Sequence, residues 1–286
     1  MPPLAVVLLL VSALMHALWN LILKQSEVKY IAMNWQVLLG GAAAVVALFF
    51  TGLPPRAMWP FAAASIVLET LYFLLLMAAY TDHDFSLIYP IARGAAPALV
   101  TIWAALFLRE IPTTGGLFGI LLIIVGMIVI GSTALLDNRE NKPSLKGILL
   151  ALSVAFLISV YTIVDGTAVK AHPTASLPYA LTMFAGVPLL TTPVVGRRFG
   201  WDSFARAWRG QRWMLILGGA LGVTAYTTAL FAYSFAPLNY SEAMREVSVV
   251  IGAFFGWRFL GEKMGGYRLL GAGVIFAGIS LIALFG

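Results

Sequence analysis

The sequence has few charged residues and no cysteine. Of its 286 residues, 10% are charged and 61% are hydrophobic, whereas a soluble domain typically has about 25% charged residues. We therefore expect most of the surface to face a lipid bilayer. The lack of cysteine excludes disulfides and thiolate metal sites, and three scattered histidines (His16, His83 and His172) show no metal-ligand spacing. No metal or other cofactor is predicted.

Several functional motifs are also missing. The sequence contains no Gly-x-x-x-x-Gly-Lys-[Ser/Thr] loop, no His-Glu-x-x-His and no Gly-x-Ser-x-Gly, so neither an ATP-driven protein nor an enzyme is indicated. The net charge of +6 comes from basic residues in short segments between apolar runs. That placement is typical of membrane proteins and does not favour a nucleic-acid partner.

What the sequence does contain is a series of long apolar runs. A bilayer core about 30 Å thick is crossed by about 20 helical residues, whereas the strands of a β-barrel are shorter and alternate in polarity. The sequence therefore predicts an all-α, polytopic membrane protein with ten transmembrane helices. The predicted spans are 4–24, 31–51, 59–80, 86–107, 113–132, 145–166, 176–195, 212–233, 240–260 and 266–285.

The chain is also an internal duplication. A shift of 152 residues aligns Arg93 with Arg245 and Glu110 with Glu262. Each half contains five spans, and because five is odd the second half must enter the membrane from the opposite side. We predict a first repeat at 1–136, a polar linker at 137–144 and an inverted second repeat at 145–286.

Basic residues are divided unequally between the two faces of the predicted bundle. The connections after spans 1, 3, 5, 7 and 9 hold 13 Lys and Arg, and the other connections hold Arg56, Arg109 and Lys170. Because Lys and Arg concentrate in cytoplasmic loops, this count places both termini outside the cytoplasm.

Ionisable side chains inside a membrane are costly and are functional candidates. Glu69 lies at the centre of span 3, and Arg93 lies in the first third of span 4 at a similar depth. We predict that the two side chains pair, with a structural lock between helices and a substrate or proton site as open alternatives. The acidic and basic residues at the start of span 9, Glu242, Arg245 and Glu246, are predicted to reach the interface.

Polar and aromatic residues share faces of several spans. His16, Trp19 and Asn20 lie at i, i+3 and i+4 on one face of span 1, with a structural hydrogen bond as the alternative for His16. Aromatic hydroxyls on spans 3, 6 and 8 are placed to join them around an aqueous cavity. The full set of predicted substrate-binding residues is His16, Trp19, Asn20, Glu69, Tyr72, Tyr89, Arg93, Trp103, Tyr161 and Tyr226.

Two stretches carry a family resemblance. With His16-Ala17-Leu18-Trp19-Asn20, Tyr89-Pro90-Ile91-Ala92-Arg93-Gly94 and the duplication, the chain resembles the EamA family of the drug/metabolite transporter superfamily and is similar to bacterial aromatic amino-acid exporters. The resemblance implies a central cavity bounded by helices 1, 3, 4, 6, 8 and 9, with helices 5 and 10 peripheral. It also implies termini in the cytoplasm, opposite to the charge count.

The expected function is export of amino acids, aromatic or otherwise amphipathic, or similar small metabolites through the bacterial inner membrane. The mechanism would be alternating access without ATP, within a single chain. Two alternatives remain. The first is a transporter of another substrate class, either a proton-coupled exporter of cations or a transporter of nucleotide-linked sugars. The second is a protein that does not transport, such as a membrane scaffold or a lipid-handling protein. A Glu69 without a neutralising partner would favour the cation.

Overall fold

The computed structural model describes residues 1–26, 28–82, 85–137, 145–260 and 266–286, with side chains described except at 79–82, 85–90, 132–137 and 260. Within these ranges every regular element is helical. The α-helices are α1 (Pro3–Gln25), α2 (Lys29–Thr51), α3 (Trp59–Asp82), α4 (Phe85–Trp103), α5 (Thr114–Asp137), α6 (Leu145–Ala171), α7 (Ser176–Phe199), α8 (Trp201–Tyr233), α9 (Leu238–Arg245), α10 (Val247–Leu260) and α11 (Gly266–Phe285).

Most of these helices are long and apolar enough to cross a bilayer. In the described part of the chain, nine helical segments meet that length and composition. The predicted all-α, polytopic membrane fold is confirmed. Predicted span 240–260 differs from the structure, because α9 ends at Arg245, Glu246 separates it from α10, and the two short helices together take the place of one span.

Helix α8 also begins earlier than predicted. It starts at Trp201, and Gln211 has non-helical angles (φ −136°, ψ 19°) that mark a kink. The segment before the kink is held against α2, since the indole of Trp35 stacks on Trp208 with ring centres 5.0 Å apart and donates to the Phe204 carbonyl at 3.0 Å. The predicted loop at 201–211 is therefore mostly helical.

Helices of the two halves pack in reciprocal pairs. Helix α1 packs on α8 as its counterpart α6 packs on α3, α2 packs on α7, and α5 packs on α11. This pattern is what a duplicated bundle with a two-fold relation between its halves requires.

The order in which residues of α5 contact residues of α11 gives the relative direction of the two helices. A Cβ atom added to Gly115 would touch Phe285, at the end of α11, whereas one added to Gly126 would lie 2.8 Å from the carbonyl oxygen of Gly271, near its start. The two helices, which close the two repeats, therefore run antiparallel, as repeats of opposite orientation demand. Glycines let their backbones meet, because a Cβ at Gly119 would lie 2.7 Å from the Gly278 carbonyl oxygen.

The bundle has two faces that serve as reference below. We call the side with both termini and the α2–α3, α4–α5, α6–α7 and α8–α9 connections the terminal face. We call the side with the α1–α2, α3–α4, α5–α6, α7–α8 and α10–α11 connections the basic face, after its Lys and Arg content.

Candidate functional site

A cavity lies inside the bundle between the two repeats. It encloses about 90 Å³, enough for several water molecules. Its walls come from α1 to α4 and α6 to α9, so α2 and α7 join the six helices implied by the family resemblance, and α5 and α11 take no part. Seven of the ten predicted binding residues line it: His16, Trp19, Glu69, Tyr72, Arg93, Tyr161 and Tyr226.

The three remaining predicted residues are placed differently. Asn20 donates to the carbonyl of His16 at 3.0 Å and lines a smaller adjoining cavity with His16, Trp19 and Arg93. Trp103 is outside the lining of both cavities, and its indole donates to the Ser159 hydroxyl at 3.1 Å. The side chain of Tyr89 is outside the described residues.

The cavity extends through the middle of the bundle, because some lining residues lie nearer to the basic face and others, such as Tyr226 seven residues from the end of α8, lie nearer to the terminal face. Gln36 is seven residues from the start of α2, Trp19 is six residues from the end of α1, and Arg93 is eight residues from the start of α4. At about 1.5 Å per residue these positions lie roughly 9–12 Å below the basic face.

Aromatic rings form a continuous wall of the cavity. The ring centres of Tyr72 and Tyr161 are 5.7 Å apart, those of Tyr161 and Tyr226 are 6.1 Å apart, and Phe184 meets Tyr226 edge-on at 6.1 Å. Edge-to-face contacts of this length hold rings in fixed orientations. The wall therefore offers a rigid apolar surface with hydroxyl groups at its margin.

Arg245 is the central charge of one polar network. Its Nη1 atom donates to Glu242 Oε2 at 2.9 Å and to the Tyr233 hydroxyl at 2.9 Å, and that hydroxyl donates to the same carboxylate oxygen at 2.6 Å. The guanidinium also lies 5.4 Å from the centre of the Tyr226 ring, within cation–π range.

Arg93 is the matching charge from the first repeat. Its Nε atom pairs with Glu246 Oε2 at 3.1 Å, and Nη2 donates to the Ser248 hydroxyl at 3.4 Å. Each of the two arginines that the duplication aligns therefore faces a carboxylate of the second repeat, and both arginines line the cavity.

The predicted pair of Glu69 with Arg93 is not formed, because Arg93 pairs with Glu246 instead. Glu69 is 6% exposed and lines the cavity. Among the described residues, no hydrogen bond or ion pair reaches its carboxylate. It is a buried acid beside the aromatic wall, and Arg245 and Asp165 are the charged groups that act on it through space.

The predicted interfacial position of Glu242, Arg245 and Glu246 is wrong. Glu242 and Glu246 are fully buried and Arg245 is 4% exposed. A side chain can extend to the interface only along an open route, and α9 is surrounded by helices α1, α4, α5, α6, α8 and α11. The alignment of the two halves at a shift of 152 residues already indicated that Arg245 is buried, since it places Arg245 at the depth of the intramembrane Arg93.

The break between α9 and α10 lies at these charges. The amide of Glu246 donates to the Ala243 carbonyl at 3.2 Å, and the amide of Val249 donates to the Glu246 carbonyl at 3.0 Å, which is the tighter 3₁₀ spacing. Short 3₁₀ stretches within a helix often mark hinges, and transporters build sites at discontinuous helices.

Gln36 is a polar residue of the cavity that the sequence prediction missed. It is 2% exposed, it lines the cavity, and neither its amide nitrogen nor its amide oxygen has a hydrogen-bond partner. Space for the side chain depends on Gly218, where an added Cβ would collide with the Gln36 amide. A buried amide without partners is costly, so a ligand or water in the cavity is its natural partner.

Contacts between the repeats close the terminal face. Lys170 pairs with Glu110 at 2.8 Å, and the other Glu110 oxygen accepts the Leu238 amide at the first turn of α9 at 2.6 Å. The Asn239 side chain donates to the Glu110 carbonyl at 3.1 Å, and the Tyr240 hydroxyl accepts the Thr113 amide at 2.7 Å. These contacts hold the α4–α5 connection over the start of α9.

Comparisons with known proteins agree with this architecture. A solved structure titled only "Crystal structure of protein" superposes with a TM-score of 0.78 at 16% sequence identity, and the match covers 99% of each chain. At this identity the likeness concerns the fold alone. No curated protein matches the chain.

A family model matches both halves of the chain. The EamA-like transporter family is matched at residues 3–132 and again at residues 145–284. The two matched segments leave out only the chain ends and the region around the predicted linker. Together with the helical membrane fold and the polar cavity between the halves, this match shows that the chain belongs to the EamA-like transporter family and is a transporter of the drug/metabolite type.

Proposed function

We propose that this chain is a secondary transporter that exports small amphipathic metabolites bearing an amino group, amino acids among them. It would act by alternating access, as a single chain and without ATP, in the bacterial inner membrane. The observation that carries the proposal is Glu69, an acid without an ion-pair or hydrogen-bond partner among the described residues, which lines an aromatic cavity.

An ammonium group is the ligand that suits Glu69. The ionised form of a buried carboxylate is stabilised most by an opposite charge, and here the ligand would bring that charge. The adjoining rings of Tyr72 and Tyr161 present faces that attract a cation or stack on an aromatic side chain. We therefore assign Glu69 to the amino group and the aromatic wall to the apolar part of the substrate.

A carboxylate group would be held by the arginines. The hydrogen bonds of Arg245 to Glu242 and Tyr233 both use Nη1, and a guanidinium has five N–H donors. A bidentate contact with a substrate carboxylate is the geometry for which arginine is suited. With Arg93 on the opposite repeat and the amide of Gln36 in the same lining, the cavity has complementary groups for both ends of an amino acid.

Organic cations without a carboxylate are the second candidate. Arg93 and Arg245 already face Glu246 and Glu242, so their charge is balanced in the absence of substrate. Glu69 is then the group whose charge a ligand would balance. This arrangement favours a simple amine over an amino acid if the two arginine pairs persist when substrate binds.

A three-compound panel separates these candidates. Thermal stabilisation of the purified protein in detergent is measured with phenylalanine, phenethylamine and 3-phenylpropionate, because a ligand stabilises the state that binds it. Stabilisation by phenylalanine alone supports an amino-acid substrate, and stabilisation by the amine with or without phenylalanine supports an amine. A response to 3-phenylpropionate alone would contradict the role of Glu69.

Transport is then measured as counterflow in proteoliposomes with the compound that stabilises the protein. We expect Glu69→Gln to abolish counterflow, because it removes the charge that the amino group requires. The control is Arg209→Gln, which changes one exposed charge on the basic face. Counterflow that survives in Glu69→Gln at the level of the control would refute the proposed site.

A further inference from the structure

Asp165 is a buried acid outside the cavity lining. It lies on α6 one turn beyond Tyr161, towards the terminal face, and it is fully buried. Its Oδ1 atom accepts the Tyr179 hydroxyl at 2.7 Å, and Oδ2 accepts the Tyr226 hydroxyl at 2.5 Å. In the part of the chain that the structure describes, no lysine or arginine pairs with it.

Neutral donors alone compensate this carboxylate poorly. A charge at membrane depth is expensive unless an opposite charge or water accompanies it. Two tyrosine hydroxyls supply hydrogen bonds but no positive charge. An acid in this position therefore favours a state in which a small cation is bound to it, and the smallest such cation is a proton.

The surroundings provide a partner for the protonated form as well. The hydroxyl of Ser65 on α3 lies beside the Asp165 carboxylate. It is fully buried and makes no hydrogen bond of good geometry. A protonated Asp165 needs an acceptor for its O–H group, and a serine hydroxyl can serve as acceptor or as donor. A group that can pair with the protonated acid is therefore present beside the two tyrosine donors.

Tyr226 connects Asp165 with the cavity. Its ring lines the cavity and lies under the Arg245 guanidinium at 5.4 Å, while its hydroxyl donates to Asp165. A substrate ammonium group in the cavity would lie on the other side of this ring and, by its positive charge, would favour the ionised form of Asp165. Substrate binding and protonation of Asp165 therefore oppose each other, which is the linkage that export driven by an inward proton gradient requires.

From this geometry we propose that Asp165 is the proton-binding site that couples transport to a proton gradient. The inference rests on the proposed transport function, since coupling has meaning only for a transporter. The carboxylate takes a proton from hydronium on one side of the membrane, forming one O–H bond, and returns it to water on the other side. The titratable groups around it are Tyr179 on α7, Tyr226 on α8 and Glu69 on α3, and Arg245 on α9 lies 5.4 Å from the centre of the Tyr226 ring.

The first test requires no substrate. Infrared difference spectra between acidic and alkaline pH are recorded on the full chain in lipid, and the carbonyl stretch of a protonated carboxylic acid is followed. We expect Asp165→Asn to remove one such band. Asp202→Asn, which changes an exposed acid at the start of α8, serves as the control and keeps that band. A spectrum of Asp165→Asn that retains every buried-acid band of the unmodified protein would overturn the proposal.

A milder variant keeps the test informative if Asp165→Asn does not fold. Tyr179→Phe removes the donor to Oδ1 and leaves the cavity lining intact, because Tyr179 is outside it. We expect the midpoint of the Asp165 band to move to higher pH, since the ionised form loses a hydrogen bond. An unchanged midpoint in a folded Tyr179→Phe protein would argue against Asp165 as the source of the band.

The second test separates coupling from transport. In proteoliposomes, accumulation driven by a pH gradient is compared with counterflow, which needs no gradient. We expect Asp165→Asn to lose the driven accumulation and to keep counterflow. If the unmodified protein shows counterflow but responds to no pH gradient, or only to a sodium gradient, proton coupling is refuted and the transport function stands. If it shows no counterflow with any compound of the panel, the proposed function fails, and the infrared result still decides whether Asp165 binds a proton.

Discussion

At the scale of single residues, buried charges organise the site. Arg245, Glu242 and the Tyr233 hydroxyl lie within hydrogen-bond distance of one another. A buried ion pair adds little net stability, because desolvation offsets the attraction, but removal of one partner leaves the other uncompensated. The network is therefore better explained by the position it gives to Arg245 in the cavity than by its contribution to folding.

The first prediction concerns this network. Arg245→Met should lower the stability of the protein by about 3–5 kcal/mol, because Glu242 remains buried without a cation. The measurement is the melting temperature in detergent, with Arg209→Met as the exposed control. The double variant Arg245→Met/Glu242→Met should be more stable than the single variant, since neither buried charge of the pair then remains without its partner. A double variant less stable than Arg245→Met would mean that packing, and not charge compensation, dominates.

Much of the candidate site was visible in the sequence because polar residues are rare in the apolar spans. His16, Glu69 and Arg93 stand out for this reason, and all three line the cavity. Gln36 and Arg245 were missed because residues near the predicted end of a span are ordinarily close to water. Whether that end is open or covered depends on the neighbouring helices, which a hydropathy pattern does not record.

At the scale of helices, the close approach of α5 and α11 depends on glycine. A Cβ on Gly278 would lie 2.6 Å from the carbonyl oxygen of Gly119, whereas one on Gly273 would meet no atom within 4 Å. Both glycines belong to the same helix. They therefore form a matched pair for testing how tightly the two repeats are joined.

The second prediction uses this pair. Gly278→Ala should destabilise the protein by about 1–3 kcal/mol, because the methyl group must push the two backbones apart. Gly273→Ala should have no destabilising effect, since alanine is the better helix former and finds open space. Melting temperatures of the two variants in one detergent give the comparison. Equal effects of the two substitutions would show that α5 and α11 are not in backbone contact.

Most helix positions were predictable to within about five residues, but the start of α8, eleven residues before predicted span 212–233, and the continuity of span 240–260 were not. Predicted span 145–166 corresponds to α6 (Leu145–Ala171), whereas predicted span 240–260 is divided at Glu246. The length of an apolar run follows from bilayer thickness. A break follows from buried polar groups that draw the backbone into a different hydrogen-bond pattern, and this depends on partners such as Arg93 that are distant in the sequence.

At the scale of the whole molecule, the distribution of charge should set the orientation in the membrane. Exposed arginines collect on the basic face, among them Arg197, Arg206 and Arg209, whereas the terminal face has Arg56 and Arg109 exposed. By the positive-inside rule we expect the basic face to be cytoplasmic. In that orientation the Glu110–Lys170 contact lies on the outer side of the membrane.

The third prediction tests this orientation. Because the chain has no cysteine, single cysteines can be labelled without background. A membrane-impermeant maleimide should label Arg56→Cys in intact spheroplasts and should label Arg209→Cys only after the membrane is permeabilised. The reverse pattern would place the termini in the cytoplasm, as the family resemblance implies.

The antiparallel glycine contact between α5 and α11 has a mechanical consequence. Two helices whose backbones touch at Gly119 and Gly278 and again at Gly126 and Gly271 cannot slide past each other, because any slip drives a side chain into a backbone. We expect the α5–α11 contact to stay fixed while the other helices of the bundle move during transport. Slow amide hydrogen exchange along α5 and α11, unaltered by substrate, would indicate that this contact is rigid.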